Sequence, residues 1–213
     1  MGGLQNNLTQ LLKSVGTLTD GDVPYPKVED VAASELKDEI ERVYVSLGGV
    51  LRAIPINLRS WDIKWNGMAI ELDEYLHFNR YRSLTLMSGS YGLLRGFPLA
   101  AYQDFCIKHE DKCLQAGSYG KRWSSESAEA QFGTASQPKD LGGNGSPRWK
   151  QRAFYDFVKD LSPLLIDVTV VRVSVWDTVL ESGRRRTVED ILKSPSDTSS
   201  DSLASLIQAR AAN

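Results

Sequence analysis

The dipeptide Asn66-Gly67, within SWDIKWNGMAIELDEYLHFNRYR at residues 60–82, sets the tightest constraint on this chain. A two-residue type I′ turn needs positive φ at both central positions, which Asn-Gly supplies, and the flanking runs alternate in polarity as strands do. Folding the stretch about that turn sets Trp65 opposite Met68, Lys64 opposite Ala69, Ile63 opposite Ile70, Asp62 opposite Glu71 and Trp61 opposite Leu72. Side chains alternate between faces with a period of two. One face is then Trp61, Ile63, Trp65, Met68, Ile70 and Leu72, and the other carries Asp62, Lys64, Ala69, Glu71 and Asp73. Like charges directly opposed across strands are destabilising, so three carboxylates on one face require compensation. Two kinds are open: water plus Lys64 on a solvated outer face, or a divalent cation held by hard carboxylate oxygens, as magnesium is in enzymes acting on phosphate esters.

The 213 residues suffice for one domain with a full core. With 25 basic and 27 acidic residues the net charge of −2 argues against a general nucleic-acid coat, so any such binding must come from local basic patches. Cys106 and Cys113 are the only cysteines, which excludes a disulfide framework, and no apolar run approaches the roughly 20 residues of a membrane span. The start MGGLQNNLTQ lacks the basic and apolar regions of a signal peptide, and the expectation is a cytoplasmic protein with no membrane partner.

Along the chain, Leu4, Leu8, Leu11, Leu12 and Val15 are spaced for an N-terminal docking helix, and residues 28–49 for an amphipathic helix closed by Gly48-Gly49. After the hairpin, Phe78, Tyr81, Leu84 and Thr85 suggest a helix with Arg80 and Arg82 on its exposed side. Residues 88–147 read as an insertion; within it 114–146 hold six glycines and little periodicity, as a functional loop or disordered segment would. Ser146 as N-cap and Pro147 at the first position open a helix whose buried side is Trp149, Ala153, Phe154, Phe157, Val158 and Leu161. Its other side aligns Arg148, Arg152, Tyr155 and Lys159, while Lys150 falls inside the apolar arc. A strand of β-branched residues follows at 164–176, then a short helix and a Ser/Asp-rich tail over 193–213, expected to be flexible. The order helix, hairpin, helix, insertion, helix, strand is α/β.

That order, with Asp62 and Glu71-Leu72-Asp73 on a strand pair followed by His77, resembles the restriction-endonuclease-like PD-(D/E)XK nucleases, in particular the branch containing very-short-patch-repair endonucleases. The resemblance covers about 35–82 and 148–176. It implies a mixed central sheet flanked by helices, a single nuclease-like domain over 1–192, and a DNA endonuclease of defence or repair that uses magnesium or manganese. It also implies a set of site residues: Asp62, Glu71, Asp73, His77, Arg82 and Arg172, with Glu35 as the first-helix glutamate. Asp62, Glu71 and the carbonyl of Leu72 would hold the metal. Two positions depart from the pattern: Glu74 stands where a glycine is usual, and Asp73 replaces the water-activating lysine two residues beyond Glu71. Cutting both strands would imply a homodimer; RNA stays open as a substrate beside DNA.

Each residue also has a plainer reading. His77 is either a general acid or base, or a side chain that caps or packs at a helix start. Lys150 either supplies the missing lysine or snorkels. Arg172 either stabilises phosphate charge or pairs with a core carboxylate such as Asp167. Arg80, Arg82, Lys121, Arg122, Arg148, Arg152 and Lys159 either contact phosphates or form wet helix faces. Cys106, His109 and Cys113 are zinc-type ligands at i, i+3 and i+7 without a fourth, and two buried thiols with a surface histidine is the favoured alternative. At the level of function, the alternative to a nuclease is a catalytically inactive nucleic-acid-binding or protein-interaction module of the same fold.

Overall fold

In the computed structural model, which describes residues 2–212, the turn residues Asn66 and Gly67 take φ of 49° and 78°, as a type I′ turn requires. Strands β1 (Ile63–Trp65) and β2 (Met68–Asp73) flank it in the expected register, pairing Ile63 with Ile70, Lys64 with Ala69 and Trp65 with Met68. Strand β3 (Val170–Ser174) runs parallel to β2 and leaves β2 at the centre of a three-stranded mixed sheet. A separate hairpin pairs β4 (Thr178–Glu181) with β5 (Arg184–Thr187).

Helices supply the rest of this mixed α/β structure. Before the sheet come α1 (Gly3–Val15), α2 (Val28–Ala33) and α3 (Lys37–Ser46). Between β2 and β3 run α4 (Arg80–Thr85), α5 (Leu99–Lys108), α6 (Glu110–Gly117), α7 (Gly120–Trp123), α8 (Glu126–Phe132), α9 (Pro147–Asp160) and α10 (Ser162–Leu165). The chain closes with α11 (Val188–Lys193) and α12 (Ser199–Ala212). No helix among the described residues is long and apolar enough to cross a membrane.

Several sequence expectations change. The helix expected over 28–49 is two, α2 and α3, broken at residues 34–36. The insertion is not an unstructured loop: α5 to α8 fill it, and the glycines that blur its periodicity mark turns between helices, Gly133 at φ 79° and Gly145 at 62°. The C-terminal tail over 193–213 carries α12 through Ala212, because Leu203, Ala204 and Ile207 bury against Leu8 and Leu12 of α1. The strand expected over 164–176 is shorter, since Pro163 sits in the first turn of α10 and that helix takes the residues before it.

The hairpin's second face is not solvated either. Alternation sends Ile70 and Leu72 of β2, with Val171 and Val173 of β3, against α1, α11 and α12. The opposite face carries Glu71, Asp73 and Arg172, all buried, because α9 lies across it. Trp61 leaves the apolar face assigned to it: it precedes β1, packs with Val23, Ala69 and Val168, and donates its Nε1–H to the carbonyls of Val23 and Pro24.

What fills that covered face is charge. The parallel register sets Arg172 beside Glu71, and its guanidinium reaches Asp73 Oδ1 at 2.7 Å, Asp160 Oδ1 at 2.7 Å and Asp156 Oδ1 at 3.3 Å. Asp160 Oδ2 accepts in turn from Arg82 Nη2 and from the Tyr91 hydroxyl, each at 2.6 Å, and Asp73 Oδ2 accepts from the Tyr102 hydroxyl at 2.8 Å. One network thus ties β2, β3, α4, α5 and α9 together. Arg82 is therefore a buried structural cation and not an exposed phosphate contact; Asn79 starts α4 by accepting from the Tyr81 and Arg82 N–H groups, and turns Arg82 inward.

Removing one partner of a buried ion cluster leaves the others uncompensated, at about 3–5 kcal/mol, whereas exposed pairs contribute about 0.2–1 kcal/mol. Arg172→Met should therefore lower the urea midpoint by an amount equivalent to about 3–5 kcal/mol. Arg80→Ala, which loses only the surface pair with Glu110, should stay within about 1 kcal/mol of the parent; equal effects from the two would contradict the role given to Arg172.

Candidate functional site

Above the buried network lies a cleft of about 850 Å³. Its lining comes from α9, the extended segment 57–62, the α7–α8 region and the end of β2. Five basic side chains and three carboxylates line it, an unequal set in a chain of net charge −2, so basic charge is concentrated there.

The carboxylates come from the hairpin and α9. Asp62 and Glu71 meet as their opposed positions require: the Asp62 N–H donates to Glu71 Oε1 at 3.2 Å, and Asp62 Oδ2 accepts from the Leu72 N–H at 3.0 Å. Burial pushes the Glu71 carboxyl up to about 7, more than the neighbouring cations Lys159 and Arg172 pull it down, with Asp62 adding to the rise. Asp62 is raised for the same first reason, burial, opposed by the Leu72 N–H.

The lysine that meets this pair is Lys159, not Lys150. Lys159 Nζ donates to Glu71 Oε1 at 2.7 Å and to the Ser60 carbonyl at 3.3 Å, and it lies over the Trp61 ring. Lys150 projects near Tyr81 and donates to Asn144 Oδ1 at 2.6 Å, which fastens the insertion to α9. Helical geometry explains the difference: residues 148, 152, 155, 156 and 159 fall within about 100° of one another and share a face, whereas Lys150 points about half a turn away from Lys159.

That face of α9 looks into the cleft and onto the sheet rather than to bulk solvent. Asp156 and Asp160 belong to it; the i, i+4 spacing of Arg152, Asp156 and Asp160 is the one sequence signal that marks them. His77 sits in the short turn that follows β2 and binds both walls: its Nδ1 is 2.8 Å from Asp156 Oδ2 and 3.1 Å from Asp73 Oδ1. Burial pushes His77 down, but Asp156 and Asp73 together lift it above 6.5; His77 and Arg172 hold Asp156 well below the usual carboxylate range against its burial. Charge counting agrees, since Asp73, Asp156 and Asp160 outnumber Arg82 and Arg172 by one, and a protonated His77 restores neutrality.

Among the described residues, two donor sets could receive a cation. Asp73, His77 and Asp156 place one ligand atom each within 4.8 Å of one another, but Arg172 and His77 already provide their counter-charge. Asp62 and Glu71 are hard oxygen donors at the cleft with raised pKa, so the charged pair is under-compensated as it stands; this set fits a hard divalent cation.

Several sequence candidates lie elsewhere. Glu35 is in the turn between α2 and α3, beside Leu164 and Leu165, away from the hairpin. Arg80 pairs with Glu110 through Nη2 at 2.8 Å. Arg172 does pair with core carboxylates, but not with Asp167, whose φ of 54° places it in the turn before β3. Cys106, His109 and Cys113 form no metal cluster among the described residues, because the helix breaks at His109 between α5 and α6; the thiols are buried, lifted to about 12, and His109 stacks on Trp176 at 3.9 Å. Arg148, Arg152 and Lys121 line the cleft; Arg122 borders its second lobe with Arg152 and His77.

His77 fixes a sign for pH dependence. A histidine whose folded pKa exceeds 6.5 contributes stability that is complete below 6.5 and is lost as pH rises through the folded value. Urea midpoints from pH 6 to 9 should fall for the parent and fall less steeply for His77→Gln; parallel profiles would remove the charged His77 from the network.

No curated protein and no solved structure matches this chain. One family model does match, over residues 42–194, a span that holds the hairpin, the insertion, α9 and β3, and excludes Glu35. The chain therefore belongs to DUF7255, a family of unknown function.

Proposed function

We propose that this protein is a metal-dependent phosphodiesterase that cleaves nucleic acid, with DNA as the first substrate to test, on a restriction-endonuclease-like core. The observation that carries the reading is the meeting of Asp62, Glu71 and Lys159 at a basic cleft: two hard oxygen donors and an ammonium, next to cations suited to a phosphate chain. The order of α3, hairpin, α9 and β3 supports the core assignment, and Lys159, which reaches Glu71 from a helix, would take the place of the lysine absent two residues beyond Glu71.

Asp62 and Glu71, with the Leu72 carbonyl beside them, would hold magnesium or manganese. Such an ion lowers the pKa of bound water and neutralises charge on a phosphate. The chain's own groups do the rest. Lys159 holds Glu71 in place and offers its ammonium to an oxygen at the floor of the cleft. His77, with Nδ1 engaged by two carboxylates, has Nε2 left for a ligand; lifted above 6.5, it acts as a hydrogen-bond donor or general acid toward a phosphate or leaving oxygen. Arg148 and Arg152 bind the phosphates on either side of the scissile bond. Arg172 acts behind them as a positioning residue that fixes Asp73 and Asp156, and through them His77.

Single-stranded DNA and RNA are assayed beside supercoiled plasmid, and at least one of the three should be cut with magnesium or manganese and left intact with chelator. Glu71→Ala should abolish cutting, and Lys159→Ala should slow it by about 10²–10⁴-fold. Absence of metal-dependent cutting on all substrates by the parent protein rejects the enzyme reading. Because a cation must displace the proton from a Glu71 lifted to about 7, the magnesium concentration for half-maximal rate should fall as pH rises from 6 to 8; a requirement independent of pH removes Glu71 from the metal site.

A further inference from the structure

Four cations of the cleft, Arg59, Lys121, Arg148 and Arg152, make no ion pair with a carboxylate among the described residues. Arg148 bonds the Gln151 side chain and Arg152 donates to the Leu76 carbonyl at 3.3 Å. Their mutual repulsion is felt: burial first, then Arg152 and Arg59, lower the pKa of Arg148. The half-buried ring of Tyr155 lines the same cleft, its hydroxyl donating to Gln131 Oε1 at 3.3 Å. Clustered cations around an aromatic face are the chemistry that binds a phosphate chain while its bases stack.

The same cleft has the dimensions of a pocket and fixed walls, which suit one strand better than a double helix. Its 850 Å³ lies within the roughly 300–1,000 Å³ of pockets that enclose one drug-sized ligand, whereas the major groove of B-DNA alone is about 12 Å wide. Nor are its upper walls free to open. The Gln131 carbonyl of α8 accepts from Val50 N–H and from the Tyr44 hydroxyl, each at 2.9 Å. Ser146 Oγ and Trp149 Nε1 of α9 donate to the carbonyls of Trp123 and Arg122 at 2.6 and 3.0 Å, which pins α7. Lys150 and Asn144 fasten the remaining loop, Asn144 donating to the Phe132 and Thr134 carbonyls. The insertion is a bolted roof.

We infer that the cleft takes a single-stranded nucleic acid segment, an unpaired strand, overhang or extruded nucleotide, with one base stacked on Tyr155 and its phosphates on Arg148 and Arg152, and that it rejects continuous duplex. This rests on the nucleic-acid reading above and narrows its substrate class; DNA and RNA strands share the chemistry.

The test measures binding in chelator, apart from any cleavage. Fluorescein-labelled strands of about 12 nucleotides, as DNA and as RNA, are compared by anisotropy with the blunt duplex of the DNA. One of the single strands should bind at least about tenfold more tightly than the duplex. Tyr155→Ala should weaken single-strand binding by about 5–100-fold, as loss of a base–aromatic stack does, with Tyr155→Phe near the parent because it keeps the ring. The inference is overturned if duplex binds as tightly as both single strands, or if Tyr155→Phe loses as much as Tyr155→Ala. Should Tyr155→Ala fail to fold, the parent's strand-versus-duplex comparison and the Phe variant still decide. Single-strand binding without metal-dependent cutting would reject the enzyme reading and keep this one; duplex cutting without preferential single-strand binding would do the reverse.

Discussion

The contact on which the rest of the structure depends is the burial of Arg172 beneath α9. A guanidinium cannot be left in a protein interior without partners, so the carboxylates that receive it are fixed by its five donors. Asp73 comes from the neighbouring strand, Asp156 and Asp160 from the helix above. The parallel register of β2 and β3 sets Arg172 on the same face as Glu71 and Asp73, and with a period of two no one-residue slip preserves both this cluster and the apolar face of Ile70, Leu72, Val171 and Val173. The charged face and the hydrophobic face therefore specify one register together.

From that centre outward the charge balance changes in a way that separates scaffold from site. The innermost groups compensate one another: Arg82 and Arg172 answer Asp160, Asp73 and Asp156, with His77 completing the count. At the cleft floor compensation is incomplete, since Glu71 has Lys159 and yet sits at about 7 because burial outweighs it. Farther out it is absent: among the described residues Arg59, Arg148 and Arg152 face the cleft without an ion pair to a carboxylate. A neutral interior supports the fold; an acidic floor followed by bare cations is what a cation and a polyanion would each complete.

How much of this the sequence discloses depends on the range of the interaction. Asn66-Gly67 dictates a local turn, and with it the register, the meeting of Asp62 with Glu71 and the helix begun by Ser146 are readable from neighbours in the chain. Which face is buried is not local. Alternation separates Glu71 and Asp73 from Ile70 and Leu72 but cannot say that α9 will cover them, so a solvated hairpin face and a wet side for the stripe of Arg148, Arg152 and Lys159 both stay open as readings. One fact closes both, because the two polar faces cover each other. Likewise Arg82 looks exposed until Asp160, 78 residues away, supplies its partner, and Lys150 and Lys159 are distinguished only by which of them the helix turns toward β2.

One helix thus carries two tasks that need not have been joined. The first turn of α9 holds Ser146, Trp149 and Lys150, which anchor α7 and the loop after α8 and so shape the cleft. Arg148, Arg152 and Tyr155 face that cleft, and the last turns place Asp156, Lys159 and Asp160 on the sheet. Because a helix is stiff over this length, a shift at its start is transmitted to its end: loosening the roof also moves Lys159 relative to Glu71. The width of the cleft and the chemistry at its floor are for that reason coupled through the backbone of α9, and a chain that widened one would have to rebuild the other.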